Sequence, residues 1–468
     1  MYAQSSVSLR RDAPSDRGIP PGKHLNSRGV RPRCAFWRVA MIGKDRSRAS
    51  LPLLDKLLPD LIQGGTLTII DARGRQSRFG PGGAGPRVAI RLHDRLLPLR
   101  LALDPMLATG EAYMDGRLTV EQGNVRDFLL VATTGLEAMH SVRSNWLLPK
   151  LLRLGDKLTP ANNRHRARRN VEHHYDLPTE LYDLFLDKDR LYSCAYFRTG
   201  QESLEDAQQA KMRHIMAKLL LAPGCRVLDI GSGWGALATT IAEESGASVT
   251  GLTLSKEQLA AANTRATRHN VADKVRFALR DYRDEPERYD RIVSVGMLEH
   301  VGQHNLDTYF AKIAALLEEE GVALIHSIGS GIGLSDPRAS KDRWMDRYIF
   351  PGGYIPALSQ VMPAAERAGL WITDVEILRL HYAETLRAWW ERFQAHRAQA
   401  CELMGERFCR MWEFYLASAE CGFRNGRLMV FQLQLSRSRE AVPLTRDYIA
   451  EAERRLARLA QRQHASAA

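Results

Sequence analysis

Between residues 226 and 328, short β-rich runs alternate with helical stretches, and this alternation constrains the fold more than any other feature of the sequence. Such alternation is typical of a parallel sheet covered by helices on both faces. Ligands of these sheets bind beyond the carboxyl ends of the strands. We therefore predict an α/β, doubly wound, Rossmann-like domain with its site in the residues that follow the strands. The β-rich runs are 226–230, 248–252, 275–278, 290–295 and 322–328.

A glycine-rich loop follows the first of these runs. Asp229 lies near the end of the run, and Gly231, Gly233 and Gly235 precede a helix that starts near Ala236. Glycines let the backbone approach a ligand closely, and the start of a helix offers unpaired N–H groups. The spacing also fits the loose dinucleotide pattern G-x-G-x-x-G/A, which is a weak signal by itself.

The end of the second run favours a different cofactor. A nicotinamide or flavin site has an acidic residue about 20 residues after the glycines, but Gly251, Leu252 and Thr253 stand there. The acidic residue that would bind the ribose in a hydride-transfer enzyme is therefore absent from this position. The loop instead resembles the first motif of the S-adenosylmethionine-dependent methyltransferases, and Asp281 and Tyr282 follow the third run, where that class contacts the adenine.

Segments on either side of the loop narrow the resemblance to one family. Residues 170–177, 191–197 and 207–211 precede the loop, and residues 290–302, 348–353 and 381–386 follow it. They closely resemble the cyclopropane-fatty-acyl-phospholipid synthases and their mycolic-acid-modifying relatives. The resemblance covers residues from about 165 to 435. It continues more weakly into residues 110–116, which resemble the lipid-associated domain of the bacterial phospholipid synthases.

The resemblance implies a reaction as well as a fold. Members of this family transfer a methyl(ene) group from S-adenosylmethionine to the cis double bond of an unsaturated phospholipid acyl chain and form a cyclopropane ring. An alkene is a weak nucleophile, so the methyl donor must be held close to it in a slot that excludes water, and a base must remove a proton. In the family this base is taken to be bound bicarbonate. The residues that match its ligands are Cys194, Glu299, His326, Ile328 and Tyr382.

These residue types suit a small oxyanion. An imidazole N–H of His326, the hydroxyl of Tyr382 and the backbone N–H near Ile328 are hydrogen-bond donors, while Glu299 can accept the bicarbonate proton. Cys194 is then expected to be a contact residue and not a nucleophile, although a free cysteine is more often a buried packing residue.

The resemblance also implies a cofactor site. Asp229, behind the glycine loop, is expected either to belong to this site or only to fix the turn. Most methyltransferases have a carboxylate at the position of Thr253, so neutral hydrogen bonds are expected to hold the ribose here. The family pattern places Tyr192 and Ser193 near the methionine end, Gly231 and Gly233 along the backbone turn, Thr253 and Gln258 around the ribose, and Asp281 and Tyr282 beside the adenine.

The rest of the chain divides by composition and periodicity. Residues 1–48 are predicted to be a disordered basic leader, because they lack periodicity and residues 1–50 hold eleven Lys/Arg against three Asp. An alternative of equal weight is that the natural start is Met41. The further predictions are a small α+β lipid-associated domain at 49–140, a linker at 141–170, the methyltransferase domain at 171–440 with helices after 330 forming the acyl-chain site, and a helical tail at 441–468. In the domain at 49–140 we predict strands at 66–71 and 87–92, a Gly/Pro turn at 80–86 between them, and helix after the second strand.

Charge and cysteine content narrow the partners and the compartment. The net charge is +12, of which residues 1–50 contribute +8, so a nucleic-acid partner is disfavoured and a phospholipid bilayer surface is favoured. Six cysteines without a C-x-x-C motif suit a reducing compartment. Because no apolar run approaches the roughly 18 residues of a spanning helix, we expect a cytoplasmic protein peripherally associated with the inner face of the membrane. A homodimer is expected from the family alone.

Histidine pairs raise a metal hypothesis. His300 and His304 are four residues apart, and His173 and His174 are adjacent. A structural zinc site needs a third and a fourth ligand at a defined spacing. We therefore expect satisfied core or loop histidines and no metal.

The sequence leaves three other functions open. The same cation could lose its proton elsewhere, which would give a methylene- or methyl-branched chain. The protein could methylate a soluble small-molecule acceptor, or it could be a non-catalytic lipid-binding scaffold, although Glu299, His326 and Tyr382 argue against a scaffold. A cluster of aromatic residues is compatible with either a packed core or the wall of an acyl-chain tunnel; its members are Trp389, Trp390, Phe393, Phe408, Trp412, Phe414 and Tyr415.

Overall fold

The computed structural model describes residues 51, 53–83, 85–136, 177–331 and 342–467, with side chains described up to residue 459. The predicted leader at 1–48 and linker at 141–170 lie outside these residues. So do residues 170–176 of the first family segment, which include His173 and His174. The domain limits proposed from the sequence therefore stay predictions.

A four-stranded sheet organises the amino-terminal region. Its strands β1 (Gly65–Ile70), β2 (Gln76–Gly82), β3 (Arg87–Leu92) and β4 (Leu118–Gln122) lie in the order β2-β1-β3-β4. The pair of β1 and β3 is parallel, and the other two pairs are antiparallel. The helices of this region are α1 (Leu54–Leu61), α2 (Leu97–Leu103), α3 (Pro105–Met114) and α4 (Val125–Ala132).

The sequence predicts β1 and β3 but misses the other two strands. β2 extends into a stretch predicted as a Gly/Pro turn; a Cβ at Gly80 would lie 2.6 Å from the Gly65 oxygen, so glycine allows the two strands to approach there. β4 occupies a stretch predicted as helix. Gly116, with φ of 71°, ends the preceding helix, and the β-branched Thr119 and Val120 then favour an extended chain.

A seven-stranded sheet forms the larger part of the molecule. The predicted parallel strands are confirmed as β5 (Arg226–Ile230), β6 (Ser248–Thr253), β7 (Val275–Leu279), β8 (Tyr289–Val295) and β9 (Leu317–Ser330). The helices predicted after residue 330 are present, but the sequence analysis did not predict that strands follow there as well. Two antiparallel strands, β10 (Trp371–Ile377) and β11 (Leu428–Ser436), extend the sheet.

The strand order places a crevice in the middle of the sheet. The order is β10-β11-β9-β8-β5-β6-β7, so the chain moves outward in one direction from β5 to β7 and then returns to the other side of β5 with β8. Open α/β sheets bind their ligands at such a reversal, beyond the carboxyl ends of the strands. The loops after β5 and β8 therefore define where a site is expected.

Helices cover both faces of this sheet, as the alternating pattern predicts. One face buries Ile292 against Phe310 and Val361, and the other buries Val249 against Ile241 and Ala262. The helices of this region are α5 (Thr179–Asp183), α6 (Leu204–Lys218), α7 (Ala236–Ser245), α8 (Lys256–Arg268), α9 (Leu306–Leu316), α10 (Arg343–Tyr348), α11 (Leu358–Arg367), α12 (His381–Ala395), α13 (Arg397–Met404), α14 (Glu406–Arg424) and α15 (Asp447–Ala467).

The segment 110–116 joins the two sheet regions. A Cβ at Gly110 would lie 2.3 Å from the indole nitrogen of the fully buried Trp344, so only glycine lets α3 approach this ring. The hydroxyl of Tyr113 donates a hydrogen bond to Glu413 on α14 at 2.9 Å. These two contacts tie the segment to the helices α10 and α14 of the larger sheet region.

None of the helices among the described residues combines the length and the hydropathy needed to cross a bilayer.

Candidate active site

A cleft opens at the reversal of strand order, beyond the carboxyl ends of β5, β6, β7 and β8. Its position follows from the topology, since these four strand ends meet at one edge of the sheet. Six of the nine residues predicted to bind the cofactor line this cleft. They are Gly231, Gly233, Thr253, Gln258, Asp281 and Tyr282.

The glycine loop forms one wall of the cleft. Gly231 and Gly233 adopt positive φ of 84° and 54°, which favours glycine at both positions. A Cβ on Gly233 would meet no atom within 4 Å, so its open side is available to a ligand. Gly235 has a packing role instead, because a Cβ there would lie 2.7 Å from the Phe277 ring.

Thr253 and Gln258 form a pair behind the loop. The Thr253 hydroxyl donates a hydrogen bond to the Gln258 side-chain oxygen at 2.8 Å and accepts one from the backbone N–H of Ser255 at 3.1 Å. The hydroxyl is thereby engaged within the protein. The amide nitrogen of Gln258 is left as the neutral donor of this pair, which suits a ribose hydroxyl.

Asp281 and Tyr282 lie at the end of the cleft formed by β7. Both Asp281 oxygens accept hydrogen bonds from Arg283, at 2.8 Å from Nε and 2.6 Å from the terminal nitrogen. The Tyr282 ring packs edge-on against Tyr309 at 5.5 Å, and burial raises the pKa of its hydroxyl to about 12. Tyr282 is therefore a neutral, fixed aromatic surface in the cleft.

The other three predicted cofactor residues are not among those lining the cleft. The Tyr192 hydroxyl lies 2.7 Å from that of Tyr415. Ser193 accepts a hydrogen bond at 2.8 Å from the Nζ of Lys211. Asp229 is 2% exposed and its Oδ2 has no hydrogen-bond partner among the described residues. Burial raises its pKa to about 7, although Lys211 favours the charged form.

Lys211, the last residue of the family segment 207–211, is a functional candidate that the sequence pattern does not single out. It is 2% exposed, and burial lowers its pKa to about 8, against the attraction of Asp187 and Asp229. The lysine also interacts electrostatically with Cys194 and His326. A buried lysine without an adjacent ion pair is rare, and that rarity becomes visible only when the burial is known.

Glu299 and Ile328 are brought together at the ends of β8 and β9. Glu299 follows β8 in a short 3₁₀ turn, and its Oε1 accepts a hydrogen bond from the Ile328 N–H at 2.6 Å. Its Oε2 is buried with no partner among the described residues. Burial raises the pKa of this carboxyl to about 7, while the bond from Ile328 opposes the shift.

His326 lies two residues before Ile328 on β9 and is 2% exposed. Burial lowers its pKa to about 3, so the imidazole is neutral. Its Nδ1 lies 3.2 Å from the amide nitrogen of Gln432 on β11. With that amide as donor, the proton of the neutral ring is on Nε2, where it is free to bind an oxyanion.

Cys194 lies on a segment that packs against the first turns of α12, the helix that carries Tyr382. The backbone N–H of Ala195 donates to the hydroxyl of Thr385, one turn after Tyr382, at 3.0 Å. Burial raises the pKa of the Cys194 thiol, so it stays protonated at neutral pH. This agrees with a contact role and disfavours a nucleophile. The five predicted bicarbonate ligands thus form two groups, with Lys211 electrostatically linked to a member of each.

Most of the aromatic cluster is buried in the core, while Trp390 and Phe408 are half-buried. Trp389, Phe393, Trp412 and Phe414 are each at most 1% exposed. The Tyr192 ring packs against Trp389 at 5.2 Å. An acyl-chain tunnel is not required to explain these residues.

Several further residues line the cleft that were not predicted to do so. Met297 and His300 flank Glu299, and Pro351 and Gly352 belong to the family segment 348–353. Met297 and His300 could have been predicted from the sequence, because they lie in the loop that follows β8. His300 is neutral because burial lowers its pKa. Within the described ranges, no group of three His, Cys, Asp or Glu side chains is arranged to hold a metal ion.

Comparison with known proteins finds a family and individual proteins that this chain resembles. Residues 162–433 match the family described as mycolic acid cyclopropane synthetase. The cyclopropane-fatty-acyl-phospholipid synthase of Escherichia coli (strain K12) is 38% identical over 343 residues, which cover 73% of this chain and 86% of that protein. The tuberculostearic acid methyltransferase of Mycobacterium tuberculosis is 35% identical over 367 residues, 76% of this chain and 85% of that protein.

A solved structure is similar to the same region. The crystal structure of a mycolic acid cyclopropane synthase in complex with SAH and CTAB superposes with a TM-score of 0.55 at 35% identity. The superposed region covers 60% of this chain and 99% of the chain of that synthase.

Proposed function

Because this chain belongs to the mycolic acid cyclopropane synthetase family and is an S-adenosylmethionine-dependent methyltransferase, we propose that it acts on unsaturated phospholipid acyl chains. The methyl carbon is transferred to one carbon of the cis double bond. The resulting cation loses a proton from that methyl group, and the new carbon–carbon bond closes a cyclopropane ring.

The observation that carries this proposal is the buried environment of the Glu299 carboxyl group. Its Oε2 is buried without a described partner, and its pKa of about 7 lets it exchange a proton at neutral pH. The neighbouring Met297 and His300 line the cofactor cleft. A proton acceptor in a water-poor place beside the methyl donor is what a carbocation reaction needs, because water would otherwise capture the cation.

The cleft fits S-adenosylmethionine as the methyl donor. Gly231 and Gly233 would lie along its backbone, the amide of Gln258 would donate to the ribose, and Tyr282 would pack against the adenine. The fit rests on the open side of Gly233 and on the engaged hydroxyl of Thr253, which directs the Gln258 amide. Three predicted cofactor residues do not line the cleft, and we propose that they support the cofactor site from outside it. They are Tyr192, Ser193 and Asp229.

Bicarbonate fits in part the five residues that the sequence predicted to bind it. Bound there, it would supply a base, held by the Nε2–H of His326, the hydroxyl of Tyr382 and the side chains of Glu299 and Cys194. The Ile328 N–H already donates to Glu299 at 2.6 Å. For this N–H to bind bicarbonate, the Glu299 carboxylate must release it and turn toward the ligand.

A second candidate is the sister reaction, in which the cation loses its proton elsewhere and a methylene- or methyl-branched chain forms. It is favoured by the 35% identity to the tuberculostearic acid methyltransferase of M. tuberculosis. Both reactions need the same donor and the same lipid, so the position of the base alone separates them. For either reaction we propose a cytoplasmic enzyme at the inner face of the membrane, without a nucleic-acid partner and as a homodimer.

The acceptor class is tested with methyl-labelled S-adenosylmethionine. The purified protein is incubated with vesicles of dioleoyl phospholipid, with vesicles of the matched saturated phospholipid, and with soluble amines. We expect label in the acyl chains of the unsaturated vesicles only. Label in the amines, or no label in any lipid despite cofactor binding, would overturn the proposal.

A further inference from the structure

Helix α2 presents a stripe of leucines to solvent. Leu96, Leu99 and Leu103 are 60%, 49% and 51% exposed, whereas Leu97 and Leu101 face the core. With 3.6 residues per turn, the three exposed residues fall on one side of the helix. We call Leu96, Leu99 and Leu103 the leucine stripe. A contiguous apolar surface of this kind marks an interaction site, whereas single exposed leucines do not.

Two arginines flank the leucine stripe. Arg95 lies in the turn just before α2, and Arg100 lies within the helix between Leu99 and Leu103. Both are exposed, and neither forms a salt bridge with any acidic side chain that the structure describes. Most other arginines nearby are neutralised; Arg343, for example, pairs with Asp104 at 2.7 Å. The stripe therefore has an apolar centre and a cationic margin.

We infer that the leucine stripe is the surface by which this protein docks on an anionic phospholipid bilayer. Leucines that enter the interface between headgroups and acyl chains leave water, and arginines beside them reach the phosphate groups. Charge complementarity selects this occupant over a second copy of the chain. A symmetric dimer across the stripe would bring the arginines of both chains together, and like charges at an interface are unfavourable.

A series of contacts connects the helix that carries the leucine stripe to the segment that lines the cofactor cleft. Asp104 ends α2, caps α3 and pairs with Arg343 at 2.7 Å. On α3, Glu111 accepts a hydrogen bond from Tyr348 at 3.0 Å. Tyr348 is three residues before Pro351, which lines the cleft. Docking through the stripe would thus hold the cleft in a fixed position relative to the bilayer.

The identity of the occupant rests on the proposed function, so the test measures binding and turnover separately. Binding of the full chain is measured by sedimentation with dioleoyl phosphatidylglycerol and phosphatidylcholine vesicles. The variant carries Leu96→Ser, Leu99→Ser and Leu103→Ser. The control carries Leu403→Ser, Leu444→Ser and Leu459→Ser, three leucines that are 43%, 103% and 39% exposed elsewhere. S-adenosylmethionine affinity reports whether each variant keeps its fold.

We expect the stripe variant to bind vesicles at least about tenfold more weakly, while the control binds as the unmodified protein does. Both should transfer label equally to phospholipid dispersed in detergent. A second variant, Arg95→Glu with Arg100→Glu, keeps the leucines and should reduce the preference for phosphatidylglycerol.

Unchanged vesicle binding by the stripe variant would overturn the inference, whatever its turnover. Lost binding in a protein that transfers no label to any lipid would support the docking surface and overturn the proposed function. If the unmodified protein is a dimer, the stripe variant a monomer, and both bind vesicles equally, the stripe is a contact between copies and the inference is wrong.

Discussion

The Glu299 carboxylate accepts a hydrogen bond from the backbone N–H of Ile328 at 2.6 Å, across the ends of two adjacent strands. This contact fixes one carboxylate oxygen and leaves the other buried without a described partner. Since the free oxygen lies in a low-dielectric environment, its affinity for a proton is high. The arrangement gives the site a proton acceptor that is held in place by the sheet.

Replacing this carboxylate should remove most of the activity. For Glu299→Gln we expect turnover to fall by about 100-fold or more, because general-base catalysis typically contributes a factor of that size. Calorimetry should show nearly unchanged affinity for S-adenosylmethionine, since Glu299 is not among the residues that line the cleft. Equal turnover in the variant would exclude Glu299 from proton transfer.

The pH dependence of turnover should report the same group. Because burial raises the pKa of Glu299 to about 7, the active carboxylate form accumulates as the pH rises through 7, and turnover should increase with it. Asp229 also has a pKa raised to about 7 by burial, so Asp229→Asn is the matched control. The inflection should persist in Asp229→Asn and vanish in Glu299→Gln; the reverse pattern would assign it to Asp229.

Lys211 should act on the cofactor through Ser193. The hydrogen bond from Lys211 to Ser193 measures 2.8 Å, and loss of such a bond typically costs about 1 kcal/mol. We expect Lys211→Met and Ser193→Ala each to weaken S-adenosylmethionine binding by about tenfold or less. The double variant should be no weaker than the worse single one, because contacting residues are not additive. Additive losses would show that the two residues act separately.

Gly110→Ala should destabilise the contact between the two sheet regions. The new Cβ would overlap the buried Trp344 ring, and such overpacking costs about 1–3 kcal/mol, which exceeds the roughly 1 kcal/mol that alanine contributes to a helix. Urea unfolding measures the difference. Gly64→Ala is the control, since a Cβ there meets Thr134 at an ordinary 3.5 Å. Equal stability of the two variants would contradict the packing argument.

The ion pairs that hold the carboxyl-terminal helix should stabilise the fold less as the pH rises. His214 on α6 lies between Glu453 of α15, at 2.5 Å, and Glu376 of β10, at 2.7 Å. Burial alone would lower the pKa of His214, but the two carboxylates outweigh it and the net shift is upward. A histidine whose pKa is raised in the folded state stabilises the fold fully at a pH below its unfolded pKa, which is near 6.5. This contribution is lost as the pH rises through the folded-state pKa.

The free energy of unfolding, measured between pH 5 and 9, tests this. It should fall across the alkaline side of pH 6.5 in the unmodified protein. Glu453→Gln should flatten the profile, because one of the two carboxylates that raise the pKa of His214 is removed. A profile that is the same in both proteins would contradict this role of Glu453.

The sequence predicted the parallel strands well and the antiparallel additions poorly. The runs that became β5 and β8 have apolar, largely β-branched centres, Val227–Leu228 and Ile292–Val293, which is typical of strands buried on both faces. β11 carries Gln432 and Gln434 at fully buried positions. These glutamines interrupt the apolar pattern, and their burial depends on partners such as His326, 106 residues away in the chain.

The same distinction applies to the site. Gly231 and Thr253 could be predicted to line the cleft because they directly follow strands, and strand ends meet at one edge. The role of Lys211 could not be predicted, since a lysine in a helical pattern is normally exposed. Its environment is set by Ser193 and Asp229, which lie on two other segments. Local patterns specify where a chain turns toward a ligand, but they do not specify which charges the fold buries.

The structure of the acyl product tests the central claim most directly. Dioleoyl phosphatidylglycerol vesicles treated with the protein and methyl-labelled S-adenosylmethionine are hydrolysed, and the chains are examined by mass spectrometry and proton NMR. We predict chains heavier by one CH₂ that carry the label and show cyclopropane ring protons. Labelled chains with vinylidene protons or a methyl branch, and no ring protons, would contradict the claim and assign the sister reaction.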